Sequence, residues 1–135
     1  MREIDKIIVH CSATKEKKDI SAATIDQWHK ERGWRGIGYH YVVSLNGNIE
    51  YGRPIEETGA HVRNHNRRSI GICYIGGLDK DLNPKDTRTP EQKESLLDLL
   101  KTLKRLHAGA TIHGHNEFSS KACPCFNVNE EYCDI

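Results

Sequence analysis

A mixed central β-sheet flanked by helices is the fold class this 135-residue sequence predicts, an α/β arrangement of the α+β type. Three features predict it. Short apolar runs rich in β-branched residues read as buried strands. A leucine-rich stretch with a complete start signal reads as a long helix. An Asn-Gly pair between two strand-like runs reads as a hairpin, so the sheet cannot be purely parallel.

The elements follow in order along the chain. Lys6-Ile7-Ile8-Val9 is a short strand ending in His10-Cys11-Ser12-Ala13-Thr14, and Lys15 to Asp19 is a solvated loop. Ser21 caps a helix running to about Arg32, with Gly33 as its stop. Ile25 and Trp28 are expected on its buried face, with the stem of Arg32. Tyr39 to Ser44 reads as a strand, Asn46-Gly47 as the turn, and 48–51 as the returning strand. Ser69 to Ile75 is a further strand, closed by Gly76-Gly77. Thr89-Pro90-Glu91-Gln92 joins a capping threonine, a first-turn proline and a glutamine three residues after the cap. Leu96, Leu99, Leu100, Leu103 and Leu106 then recur at helical spacing, and Gly109 stops the helix. Thr111-Ile112-His113 reads as a short last strand, and the tail beyond it as irregular.

Length and composition bound the function. One domain, 1–135, is the natural division, long enough for a core without disulfide support. Twenty basic residues nearly balance nineteen acidic ones, so charge offers no footprint for nucleic acid. No apolar run approaches the ~18 residues needed to cross a bilayer, so no membrane insertion is expected. The opening Met1-Arg2-Glu3-Ile4-Asp5-Lys6 carries acids where a signal peptide would be basic, and the apolar run after it is too short. Synthesis in the cytoplasm is therefore expected, with any export supplied by another factor. Five cysteines in no repeated framework read as reduced thiols, one of them a candidate metal ligand.

Eight histidines raise the question of a metal. His29 reads as an ordinary surface or boundary residue, His107 as a helix C-terminal complement to the dipole, and His40 as pointing away from Tyr39 and Tyr41. His10 differs, because it ends an apolar strand at a rigid sheet edge. His113 and His115 precede Cys123 closely. Two imidazoles and a thiolate can hold Zn²⁺ and leave a fourth tetrahedral position open. The plain alternative makes His10 a satisfied strand-end residue and Cys123 a small buried hydrophobe. A copper electron-transfer site ranks lower, since Met1 is the only methionine available as an axial ligand.

Several motifs, in order, resemble the superfamily of type 2 N-acetylmuramoyl-L-alanine amidases and peptidoglycan recognition proteins. They are Val9-His10-Cys11-Ser12-Ala13-Thr14, Gln27-Trp28-His29-Lys30, Gly33-Trp34, Gly38-Tyr39-His40-Tyr41, Gly59-Ala60-His61, Ser69-Ile70-Gly71-Ile72, Gly76-Gly77 and Lys121-Ala122-Cys123-Pro124. The similarity covers almost the whole chain and is strongest to short phage endolysin amidases. It implies a zinc site in a surface groove, with one Zn²⁺ per chain on His10, His115 and Cys123. His115 is preferred because the family's ligand lies eight residues before the cysteine. His113 stays a rival, since residues two apart on a strand share a face. Tyr39 and Lys121 match the family's active-site tyrosine and catalytic lysine. His61, Asn66 and Ser69 match positions lining the substrate groove. The pattern departs at Asn64-His65-Asn66-Arg67-Arg68, and the C-terminal helix of relatives is expected to be cut short after Asn127-Val128-Asn129-Glu130.

The implied activity is hydrolysis of the amide between muramic acid and L-alanine in bacterial peptidoglycan, by a monomeric phage or prophage endolysin. A non-catalytic peptidoglycan-binding module is the main alternative. In the superfamily its members lack the ligand cysteine, whereas Cys123, Tyr39 and Lys121 are all present here. A cytosolic muropeptide-recycling amidase is less favoured, because such relatives carry aspartate at the place of Cys123. An unrelated small zinc protein is the remaining alternative.

Overall fold

The structure, a computed structural model, describes residues 2–135. Seven strands and three helices follow in the order β1 (Lys6–Cys11), β2 (Thr14–Lys15), α1 (Ala22–Glu31), β3 (Tyr41–Val43), β4 (Ile49–Tyr51), β5 (Ser69–Tyr74), β6 (Gly77–Leu78), α2 (Pro90–Leu106), β7 (Thr111–Gly114), and α3 (Val128–Tyr132), with a 3-10 turn over His115–Glu117 before α3. Five strands form one sheet in the order β4-β3-β5-β1-β7. β3, β5, β1 and β7 run parallel, and β4 returns antiparallel along the edge through the expected hairpin. The mixed sheet read from the sequence is thus the observed one. β2 and β6 form a separate parallel pair.

β1 lies inside the sheet and is covered on both faces, so Ile7, Ile8 and Val9 are fully buried. Alternation sends Ile7, Val9 and Cys11 toward the α2 side, where they join Ile70, Ile72, Tyr74, Leu96, Leu100 and Leu103. Ile8 and His10 point to the other face. There Val42, Cys73 and Ile75 pack against Ile20, Ala22 and Ile25 from the α1 side.

The start of α2 is as its sequence indicates. The Thr89 side chain accepts from Gln92 N, and the Gln92 side chain accepts from Thr89 N. Gln92 does more than cap: its buried amide donates to the carbonyls of Val43 (3.2 Å) and Ile75 (2.9 Å), pinning the first turn onto the ends of β3 and β5. The leucine stripe is buried through Leu103, whereas Leu106 is 70% exposed.

Three expectations change. The strand expected from Tyr39 is regular only from Tyr41, because the carbonyls of Gly38, Tyr39 and His40 accept from Ala60, Arg53 and Gly52 and so serve the 52–60 loop. On α1 the buried face is Ala22, Ile25 and His29, while Trp28 is 36% exposed. His29 is therefore no surface residue; its Nδ1 accepts from Gly38 N at 2.9 Å, which satisfies the buried ring. The tail is not irregular throughout. Asn127 caps α3 through its side chain, and Val128 and Tyr132 enter the core. This helix is five residues long. Among the described residues, no helix is long and apolar enough to cross a membrane.

Candidate metal centre

Parallel strands gather side chains at their carboxyl ends, the usual place for a site in such sheets. β1 ends in His10-Cys11, and its neighbour β7 ends at Gly114. Register decides which histidine meets His10. Ile8 pairs with His113 and Val9 with Gly114, so the next residue, His115, comes level with His10. The two rings lie 4.6 Å apart between centroids. His113 stays one step lower, with Nδ1 2.8 Å from the Glu117 carboxylate and Nε2 2.6 Å from Thr111 Oγ1. Sharing a face was not enough for His113; height along the strand separates the two.

Cys123 arrives from the loop after the 3-10 turn. One ligand atom each from His10, His115 and Cys123 lies within 4.8 Å of the others. Cys123 Sγ is 3.9 Å from His10 Nδ1. Tetrahedral Zn–N and Zn–S bonds place N and S about 3.6 Å apart, so this set fits a zinc ion after a small contraction. Cys11 N–H donates to Cys123 Sγ at 3.2 Å, a backbone donor suited to an ionised sulfur. His10 is 1% exposed, whereas His115 and Cys123 are half-buried, so the cluster is open on the side away from the sheet.

The imidazoles are held neutral. Desolvation, followed by the nearby His61, His115 and Lys121, pushes His10 well below its ordinary range. His115 is lowered by burial and then by Lys121. Burial lowers His61 to about 3. The sign of the pH dependence follows. Unfolded imidazoles take up a proton near 6.5, the folded ones only at lower pH, so the unfolded state binds more protons in between. Metal-free protein is therefore expected to lose stability as pH falls from 6.5 toward 3, by up to roughly 1.4 kcal/mol per pH unit for each fully buried imidazole. Urea midpoints at pH 7.5 and 5 check this. An unchanged or higher midpoint at pH 5 contradicts it.

The other candidate residues divide into two groups. Tyr39 is half-buried with its ring 5.0 Å from that of His10, and desolvation raises its phenol well above the ordinary value, so it stays a hydrogen-bond donor. Lys121 is exposed two residues before Cys123, and its charge acts on both His10 and His115. His61, Asn66 and Ser69 form a second group, linked to one another and to His10. His61 Nδ1 is 2.9 Å from His10 Nε2, and Ser69 Oγ is 3.2 Å from His61 Nε2. Ser69 is fully buried as the first residue of β5. Asn66 Oδ1 accepts from the backbone N–H groups of His61 and Val62, closing the turn that delivers His61. The Cys11 N–H contact carries no sequence signal, because it belongs to the backbone.

Comparison with known proteins places this geometry. The N-acetylmuramoyl-L-alanine amidase family model matches residues 1–126. The endolysin of Klebsiella phage KP32 is 42% identical over 127 residues, covering 94% of this chain and 84% of the relative. The endolysin of Escherichia phage T7 is 42% identical over 124 residues, covering 92% and 82%. Among solved structures, the N-acetylmuramoyl-L-alanine amidase LysC from Clostridium intestinale superposes with a TM-score of 0.81 at 29% identity, over 96% of this chain and 82% of that one. The Drosophila recognition protein PGRP-LB shares the fold at a TM-score of 0.81 and 21% identity, over 99% and 82%. With its sheet ends, its two imidazoles and one thiol, and its near-complete coverage, the chain belongs to the N-acetylmuramoyl-L-alanine amidase family.

Proposed function

We propose that this chain is a zinc-dependent amidase that hydrolyses the bond between N-acetylmuramic acid and L-alanine in bacterial peptidoglycan, in the role of a phage-type endolysin. The observation that carries the reading is the convergence of His10, His115 and Cys123 on one open point at the ends of β1 and β7. A recognition module that only binds muropeptides has no need of a thiol there. Zn²⁺ bound by these three ligands supplies a Lewis acid and lowers the pKa of water toward neutrality.

The remaining chemistry belongs to the chain. His10, buried and neutral, offers Nδ1 to the cluster. The protonated Tyr39 hydroxyl orients the scissile amide by donating a hydrogen bond. The Lys121 ammonium sits at the open rim and faces the charge that develops on the carbonyl oxygen, a preorganised donor worth ~10²–10³ in turnover. Such a protein waits where it is made and acts on the wall after a separate factor grants access.

The bond identifies the enzyme. Digestion of purified sacculi by zinc-loaded protein is expected to release stem peptides with a free L-alanine amino group, detected by mass spectrometry. Glycan reducing ends should stay constant. Tyr39→Phe and Lys121→Ala are each expected to slow release by ~10²-fold or more. New reducing ends, or retained binding without any released peptide, would overturn the assignment.

A further inference from the structure

We propose that His61 is a positioning residue that holds His10 in the one tautomer able to ligate a metal, through a donor chain running His10 to His61 to Ser69. The inference rests on reading His10 as a ligand. It assigns His61 a task that differs from contact with substrate.

Two imidazole nitrogens 2.9 Å apart share a single proton, so the His10–His61 contact has two possible directions. His10 Nδ1 is the nitrogen facing Cys123 Sγ, and ligation needs its lone pair free. The proton of His10 must then sit on Nε2 and be donated to His61 Nδ1. His61 in turn carries its proton on Nε2, 3.2 Å from Ser69 Oγ. Ser69 passes the polarity on, since its hydroxyl lies 3.5 Å from the Asn66 carbonyl. Each link donates away from the cluster. The opposite direction places a proton on His10 Nδ1, aimed at the point where the ligand atoms meet. A metal-bound histidine whose second nitrogen donates to a fixed acceptor is the general pattern of such sites.

The surroundings lock His61 into this task. Its ring lies against Gly59 and Gly71, where an added Cβ would come within 2.8 Å and 2.7 Å of ring atoms. Any side chain at either position would displace the ring. Asn66 clamps the backbone of His61 and Val62 from the loop side. Both ring nitrogens are engaged inside the protein, so neither is free for a stem peptide.

The test measures zinc affinity by competition with a chromophoric chelator, alongside the melting of metal-free protein. His61→Phe fills the slot but cannot accept, and is expected to bind zinc 10–100-fold more weakly. His61→Asn carries an acceptor at the same branch point as Nδ1 and should stay within about threefold of wild type. At saturating zinc, KM for sacculi should be unchanged in His61→Phe, which a substrate-contact role would not predict. Tautomers of His10 and His61 in the metal-free wild type, read from ¹⁵N shifts, give a result that needs no variant to fold. Protonated Nε2 on both rings supports the proposal, and protonated Nδ1 on His10 overturns it. Wild-type affinity in a folded His61→Phe variant also overturns it. Failure of wild type itself to bind zinc would instead remove the ligand reading.

Discussion

Replacing Cys123 with serine is expected to abolish peptidoglycan hydrolysis and to cut zinc affinity by far more than ~10²-fold, since outer partners of a ligand alone account for 10–100-fold. The hydroxyl of serine stays protonated near neutral pH and loses both the charge and the softness that the site offers a zinc ion. Stability should follow. An ion present at about 1,000 times its Kd stabilises the folded state by about 4 kcal/mol. For a domain of this size that corresponds to roughly 10–15 °C in Tm. Adding a chelator to wild type should therefore lower its Tm by that amount, while Cys123→Ser should melt at the lower temperature with or without chelator. Equal melting of zinc-loaded and stripped wild type would contradict the site.

Arg88→Ala is the second large effect, and it acts at a distance from the ligands. The Arg88 side chain is 1% exposed yet charged. It donates to both carboxylate oxygens of Asp86 at 2.9 Å and to the Tyr132 hydroxyl at 2.8 Å, and it pairs with Glu131. Its guanidinium also stands 3.5 Å above the centre of the Phe126 ring. Burial works against the charge, but Asp86 and Glu131 outweigh it and raise its pKa. Removing Arg88 leaves the buried Tyr132 hydroxyl without its donor, while water still reaches the Asp86 and Glu131 carboxylates, so the loss is on the order of 2–3 kcal/mol and not that of a fully buried pair. The midpoint of urea unfolding should fall accordingly. Because Phe126, Glu131 and Tyr132 belong to the segment after Cys123, zinc affinity should weaken as well. Lysine cannot reproduce the fork, so Arg88→Lys is expected to recover only part of the loss. A wild-type midpoint in Arg88→Ala would refute this account.

What the sequence carried well were the features with local causes. The capping box at Thr89, the leucine stripe of α2, the Asn46-Gly47 turn and the β-branched run of β1 each specify themselves within a few residues, and each is observed. Features set by distant pairing were illegible. The two-residue strands β2 and β6 exist only because they meet each other, and Lys15 in one of them reads as loop. Burial of His29 depends on Gly38 supplying a donor, and the exposure of Leu106 breaks the periodicity of the stripe. Within the site, strand periodicity left His113 a rival to His115, which only the resemblance favoured, and the β1–β7 register gives the physical reason that separates them. His61, Asn66 and Ser69 were found by motif, but no pattern in the chain reveals that His61 faces His10.

The sheet order has a kinetic consequence. β1 pairs with β5, 63 positions further along at Lys6↔Ser69, and with β7, 105 positions further along at Lys6↔Thr111. Contacts this far apart in the chain form late, after the loop entropy between them has been met. The three ligands, spread from residue 10 to residue 123, come together only once those pairings exist. An ion that recognises the finished arrangement stabilises the native state more than the barrier before it. Zinc should therefore leave the refolding limb of a chevron nearly untouched and slow the unfolding limb, so that the holo protein persists by opening rarely.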